Sequence, residues 1–478
     1  MKSKTINANI FKKAILAFVL MLGVVFGFSA CGTNVGFDDG PSSTDVVIGN
    51  GSSAIVYGNY AYYTNGYVAS TDVGNTNTYG QVVYSAVYRT KLVNGQVVEK
   101  EKEVDEDGNE IFDKTQAIQN TGVLVSKVCG YEKTKLYIFD NYLYYTTPGN
   151  NVSKNGTIES DHIDFCRIKI DGHTRGERLF TSSSTIDSIT YYMYKYNNKA
   201  YLVVKDGEVL KIGECTDTNF KLETLDVATY KVSSVAETRY TRSNDRVFDL
   251  DSSVYFAYKD DKVIDGNYLA KYDLNTKQIT TLSKINENDY TLIASVGGKL
   301  YYNKQTYLAP GSSGAYLYYN TMGDAYTETE RQLSSNAYAA SNITPYNADS
   351  IGAFINDGSN VYKFNSNGTQ TRFIDGNATI VAQKGDYVFY TLDNVLYKKA
   401  ISGGDAQSVV SLSSSDATKN SLSVVSDTQV FYLKEYTNKA GTSYYMHYID
   451  TSIVENGEVY NHFIGVLIEK DYLDEPEE

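Results

Sequence analysis

Tryptophan is absent from this chain of 478 residues, and proline, cysteine and histidine are scarce, with 5, 4 and 4 copies. Each scarcity narrows the field. Metal enzymes usually draw on more histidines than His162, His173, His447 and His462. The absence of Trp weakens a sugar-binding reading, although Tyr and Phe also stack on sugar rings. Positive charge is in deficit, with 43 Lys and Arg against 57 Asp and Glu, so the net charge of -14 argues against binding through a nucleic-acid backbone. No apolar run reaches the roughly 20 residues of a membrane-spanning helix. What is abundant is Tyr, with 45 copies, beside 18 Phe and 37 Gly, a profile that favours strands and turns. Hydrophobic residues make up 42% and are spread throughout, which argues against a long disordered chain.

The N-terminus places Lys2, Lys4, Lys12 and Lys13 before an uncharged apolar run at 14–28, followed by Ser29, Ala30 and Cys31. A basic head, a short apolar run and small residues form export-signal architecture. The string FSAC at 28–31 resembles the bacterial lipobox, with Phe28 in place of the usual Leu. The resemblance implies that Cys31 receives a diacylglycerol and becomes the mature N-terminus, so residues 1–30 are expected to be a lipoprotein signal peptide. Their removal takes away four positive and no negative side chains, moving the net charge from -14 to -18. A body so acidic is repelled by an anionic membrane surface, so attachment falls to the lipid. Residues 31–53, rich in Gly, Asp, Ser and Asn, read as a flexible tether, and 471–478 as an acidic tail. Cys129, Cys166 and Cys215 remain; they lack a paired framework or zinc-knuckle spacing and are expected to be ordinary thiols.

Residues 54–470 show no long amphipathic helix. Short β-branched and aromatic runs alternate with Gly, Asn, Asp and Ser clusters, an all-β signature. A strand centred on adjacent large residues recurs at 59–65, 141–147, 199–207, 252–258, 298–304, 351–357, 386–392 and 428–434. Third strands follow at 87–92, 165–172, 268–274, 315–321, 360–368 and 394–404. The mean interval of about fifty residues suits a four-stranded propeller blade with loops. On a strand, Tyr144 and Tyr145 point to opposite faces, so the pair is sensible only where both faces are buried. A propeller blade meets that condition. The fold expected is an all-β β-propeller of antiparallel strands with eight blades, or seven if the short sixth unit lacks a strand. Residues 54–57 and 463–468 are the candidates to close the ring within one blade.

The strings YYTN at 62–65 and YYTT at 144–147, with IDG at 170–172, resemble a bacterial family described as having a low-density-lipoprotein-receptor-like β-propeller. The likeness to the receptor YWTD repeats is loose, since Trp is absent. It implies a blade scaffold on exported, often lipid-anchored proteins of Gram-positive bacteria, and it brings no catalytic residues.

Chemical motifs are sparse. Residues 49–54 match GxGxxA, but a strand-like stretch follows where a dinucleotide site needs a helix. The acidic stretch 105–110 lacks the order of a calcium-wrapping loop and reads as a hairpin tip at Asp107 and Gly108. His162 and Cys166 read as accidental neighbours on a strand. No GxSxG, HExxH or P-loop is present. These residues therefore point to a lipid-anchored cell-surface module that binds or scaffolds protein or peptide partners, without a cofactor and as a monomer. Glycosidases bring carboxylates together from distant blades, so a carbohydrate-active enzyme or glycan receptor with carboxylates at the channel mouth stands as the alternative.

Overall fold

All eight aromatic-centred segments become second strands of antiparallel blades in the computed structural model. The structure describes residues 52–468 apart from 66–85, 100–105, 109–114, 126–127, 130–134, 149–150, 153–157, 160–161, 198, 226–230, 239–251, 260–265, 284–287, 307–313, 322–329, 347–351 and 439–440. The expected signal peptide at 1–30, Cys31, nearly all of the tether and the acidic tail lie outside the described residues.

Blade 1 comprises Ala54–Tyr57, Tyr60–Asn65, Ala86–Lys91 and Thr121–Val125, counted from the channel outwards; blade 2 comprises Tyr137–Phe139, Tyr142–Pro148, Ile163–Lys169 and Glu177–Thr181. Blade 3 is Ile189–Tyr196, Lys199–Asp206, Val209–Cys215 and Phe220–Thr224, and blade 4 is Lys231–Val235, Ser253–Lys259, Tyr268–Asp273 and Ile279–Thr281. Blade 5 is Asn288–Val296, Lys299–Thr306, Tyr316–Thr321 and Arg331–Ala337; blade 6 is Ile343–Tyr346, Gly352–Asn356, Asn360–Asn365 and Gln370–Asp375. Blade 7 is Thr379–Lys384, Tyr387–Leu392, Val395–Ala400 and Gln407–Ser411, and blade 8 is Ser423–Val424, Gln429–Asn438, Gly441–Glu455 and Glu458–Phe463. The short sixth unit has all four strands, so the seven-blade alternative is overturned. Tight turns make that economy of length feasible: Gly358 and Gly368, in the two links that follow the unit's second and third strands, both take positive φ.

The aromatic pairs split between interfaces as the strand pleat demands. Tyr62 faces blade 2 and Tyr63 faces blade 8. Tyr144 packs towards blade 3, while Tyr145 packs towards blade 1. Tyr301 and Tyr302 divide likewise between blades 6 and 4. Every adjacent pair of blades thereby shares a buried apolar cluster, including blades 8 and 1. Some phenol hydroxyls reach polar partners within these layers. Tyr63 Oη, for instance, lies 2.8 Å from Thr90 Oγ1.

Closure differs from the expectation of a shared blade. Ala54–Tyr57 is the innermost strand of blade 1, and all four strands of blade 8 come from the C-terminal region. The last strand, Val466–Ile468, pairs instead with Thr115–Ala117, in the long connection between the third and fourth strands of blade 1. That connection also approaches blade 8, since the Val97 N–H donates to Tyr460 Oη at 2.9 Å. At the start of the ring, Ser53 Oγ lies 2.8 Å from Ser423 Oγ of blade 8.

Cys129, Cys166 and Cys215 are buried and form no disulfide. Burial pushes the Cys166 and Cys215 thiols up to about 12, which keeps them protonated and unreactive. Glu106, Asp107 and Gly108 form an exposed turn, with Gly108 at φ +82°. No helix follows the 49–54 motif; a strand does.

Candidate functional site

In an antiparallel blade, the start of the innermost strand and the link between second and third strands lie at the same end. A cavity of about 590 Å³ occupies the central channel and includes residues at that end of several blades, among them Ser52, Ser341 and Asn420. Its wall is mixed. Ser53, Thr344, Gln383 and Ser423 stand among apolar residues such as Leu292 and Ile343, with Ser53 and Ser423 bonded to each other and Gln383 Nε2 donating to the Gly385 carbonyl at 3.0 Å.

The charges at the wall are arranged asymmetrically. Lys135, just before blade 2, donates through Nζ to Glu237 Oε1 at 3.1 Å and to the Tyr191 carbonyl at 3.0 Å. Its backbone N–H donates to Tyr191 Oη at 2.9 Å. Glu237 belongs to a short extra strand, Glu237–Thr238, which lies parallel to the innermost strand of blade 5. This ion pair therefore links blades 2 and 3 to the extra strand and lines one side of the channel. Glu237 is the one carboxylate among the described lining residues, and Lys384 lines the wall on the side of blade 7. A carboxylate pair at the mouth was the mark of the glycosidase alternative, and the described wall does not bring one together.

A second polar group lies within blade 8. His447 is buried, with Nδ1 3.0 Å from Asn461 Oδ1 and Nε2 3.0 Å from Tyr436 Oη. Asn461 Nδ2 donates to Tyr432 Oη at 3.1 Å, which turns Oδ1 towards the imidazole. The assigned tautomer consequently carries its proton on Nδ1 and accepts from Tyr436. Burial lowers the His447 pKa to about 4, so the ring is neutral and structural at physiological pH. His462 instead lies 2.6 Å from Glu455 on the exposed edge of the same blade. His162 precedes the strand on which Cys166 is buried, and no group of three His, Cys, Asp or Glu suited to a metal exists among the described residues.

Lipidation at Cys31 was the one sequence-level site, and it lies outside the described residues. The cavity residues carried no sequence signal. Ser341, Gln383 and Ser423 are ordinary strand and turn residues until the ring brings them together.

No protein-family model matches the chain, and no curated protein matches it. Among solved structures, it is similar to a puromycin-hydrolyzing peptidase from Mycobacterium tuberculosis, at 11% identity and TM-score 0.42, covering 69% of this chain and 53% of that one. It is also similar to the β-propeller domain of the Trilobed protease from Pyrococcus furiosus, at 8% identity and TM-score 0.39, covering 76% and 97%. A third is the oligogalacturonate lyase from Vibrio parahaemolyticus, at 10% identity and TM-score 0.40, covering 86% and 99%. The chain spans 53% and 54% of the first two peptidases it matches.

Proposed function

We propose that this chain is a binding module held at the extracytoplasmic membrane surface by lipid on Cys31, and that it receives a protein or peptide partner at the mouth of its channel. The observation that carries the reading is the chemistry of the cavity. Neutral polar residues, Ser53, Thr344, Gln383 and Ser423, alternate with apolar ones; Ser53 and Ser423 bond to each other, Gln383 to the Gly385 carbonyl, and the Lys135 ammonium to Glu237. Such a wall is neutral and of mixed polarity on a rigid ring, the usual setting for recognition. Ser52 and Ser53 stand on that wall, so the tether leads directly to the mouth.

Two measurements test the reading. With Cys31→Ser, the protein should leave the detergent phase for the aqueous phase; unchanged partitioning removes the anchor. A photoreactive residue placed at Ser341 on intact cells should capture a defined partner, whereas the same residue at Val93, towards the opposite end, should not. Release of a cleaved glycan, lost in Glu237→Gln, would transfer the assignment to a carbohydrate-active enzyme.

A further inference from the structure

One strand stands outside the four-stranded order of the blades. Glu237–Thr238 follows the innermost strand of blade 4 and lies on the innermost strand of blade 5, with Glu237 opposite Ala294 and Thr238 opposite Ser295 in a parallel ladder. The molecule thus seats an extended segment on the channel-facing edge of a blade. That edge is suited to it, because a terminal strand has a sheet neighbour on one side and turns alternate N–H and C=O groups outwards on the other.

Blade 7 offers the same kind of edge to the cavity. Thr379–Lys384 is the terminal strand of its sheet, and the five consecutive residues 380–384 all line the cavity. Side chains alternate between the two faces of a strand. A β-bulge at Val381 breaks that alternation, and the Val381 and Ala382 side chains both pack towards blade 8, so the regular edge that meets the cavity is residues 382–384. The flanks are residues 343–345 of blade 6 and 422–424 of blade 8, in which Ile343 and Leu422 alternate with Thr344 and Ser423. These flanks suit small or β-branched side chains, apolar or hydroxylated, projecting alternately to each side of an added strand.

Building on the binding-module reading, we propose that the channel takes an extended peptide segment as a fifth strand on the inner edge of blade 7, parallel to it as Glu237–Thr238 is to blade 5. The innermost strand of blade 5 is likewise bulged just before Ala294, and the edge past the bulge in blade 7 is three residues or about 10 Å, so three residues of the peptide pair with it. Parallel orientation places the N-terminal end of the segment at the mouth, near Ser341, and its C-terminal end towards Lys384. Main-chain hydrogen bonds then provide affinity and the two flanks select side chains, as in strand-addition recognition generally.

The test uses the full-length chain in detergent and a library of end-blocked hexapeptides built from Ala, Ser, Thr, Val, Ile and Gln. Selected peptides should bind, and Ser341→Trp at the rim or Ala382→Trp on the edge strand should each weaken them at least tenfold. The rim variant lies at an exposed residue and guards against loss of folding in the other, which thermal melts report. N-methylation at every second peptide residue should abolish binding, and at the intervening residues leave it within twofold. Binding that is lost with Ser341→Trp but indifferent to N-methylation overturns strand addition while leaving the channel reading intact. Failure of every hexapeptide also overturns strand addition, and the partner captured from position 341 then decides the channel reading separately. Peptide binding that neither Trp variant disturbs overturns both.

Discussion

His447 has both ring nitrogens committed, to Asn461 and Tyr436, and its burial lowers the pKa from 6.5 to about 4. The unfolded chain takes up a proton below pH 6.5 that the native ring refuses until about pH 4. Stability is therefore level above pH 6.5, falls as the pH drops towards 4, and is level again below, with a total loss of about 3 kcal/mol. His447→Gln should flatten the dependence of chemical-denaturation midpoints across pH 4–6.5; an unchanged slope would assign it to another group. Asp206 acts in a lower window. Despite the desolvation that opposes it, its carboxylate accepts from Lys211 Nζ at 2.5 Å and from the N–H groups of Ser183 and Ser184, which hold its pKa below the ordinary value. Its contribution is present above about pH 4, the unfolded value, and disappears as the pH falls through the native one. Asp206→Asn leaves the buried Lys211 ammonium without its carboxylate, and should cost about 3–5 kcal/mol at neutral pH in urea unfolding.

Between blades, a recurring contact joins third strands. Arg89 Nη1 of blade 1 donates to the Ile170 carbonyl of blade 2 at 2.9 Å, and Arg167 Nη1 of blade 2 to the Thr216 carbonyl of blade 3 at 2.6 Å. Lys363 of blade 6 reaches the Ile401 carbonyl of blade 7 at 2.9 Å, and Lys398 of blade 7 reaches Thr451 Oγ1 of blade 8 at 3.3 Å. The first two guanidiniums also lie over Tyr60 and Tyr142, at 4.7 and 4.3 Å from the ring centroids. Each acceptor directly follows or lies within the next third strand, so the cation fixes the height of one blade against its neighbour. Arg167→Met removes a charge-assisted bond and leaves the Thr216 carbonyl without this donor, a loss of about 2–3 kcal/mol. Arg167→Lys should restore part of it, and a Met variant as stable as the parent would reduce the contact to packing. The basic residues of these strands were visible in the sequence, but their reach was not, because it depends on the offset between blades. The aromatic pairs were legible for the opposite reason: burial on both faces is a local demand, met wherever the chain runs between two neighbours. The third strands Val209–Cys215 and Gly441–Glu455 escaped notice, the first having no aromatic residue and the second running unusually long. Glu237–Thr238 was illegible because only its distant edge partner defines it.

At the scale of the ring, two devices bring the ends together, and they differ in strength. The clasp of Val466–Ile468 on Thr115–Ala117 is a three-residue ladder. The layer between blades 8 and 1 is larger, with Tyr63, Phe431, Leu433, Met446 and Tyr448 fully buried within it. Phe431 lies 5.9 Å from Tyr63 across the interface and 5.1 Å from Tyr448 within its own blade, measured between ring centroids. If packing holds the ring shut, the clasp is a lock added to a closed structure. Deleting residues 465–478 should then cost about 1–2 kcal/mol for a few net hydrogen bonds, a shift of a few degrees in the thermal midpoint. Phe431→Ala empties the layer and should cost about 3–5 kcal/mol. Calorimetry on the two variants separates the cases. A truncation as damaging as Phe431→Ala would mean that the terminal strand, and not the aromatic layer, keeps the first and last blades in contact and the channel enclosed.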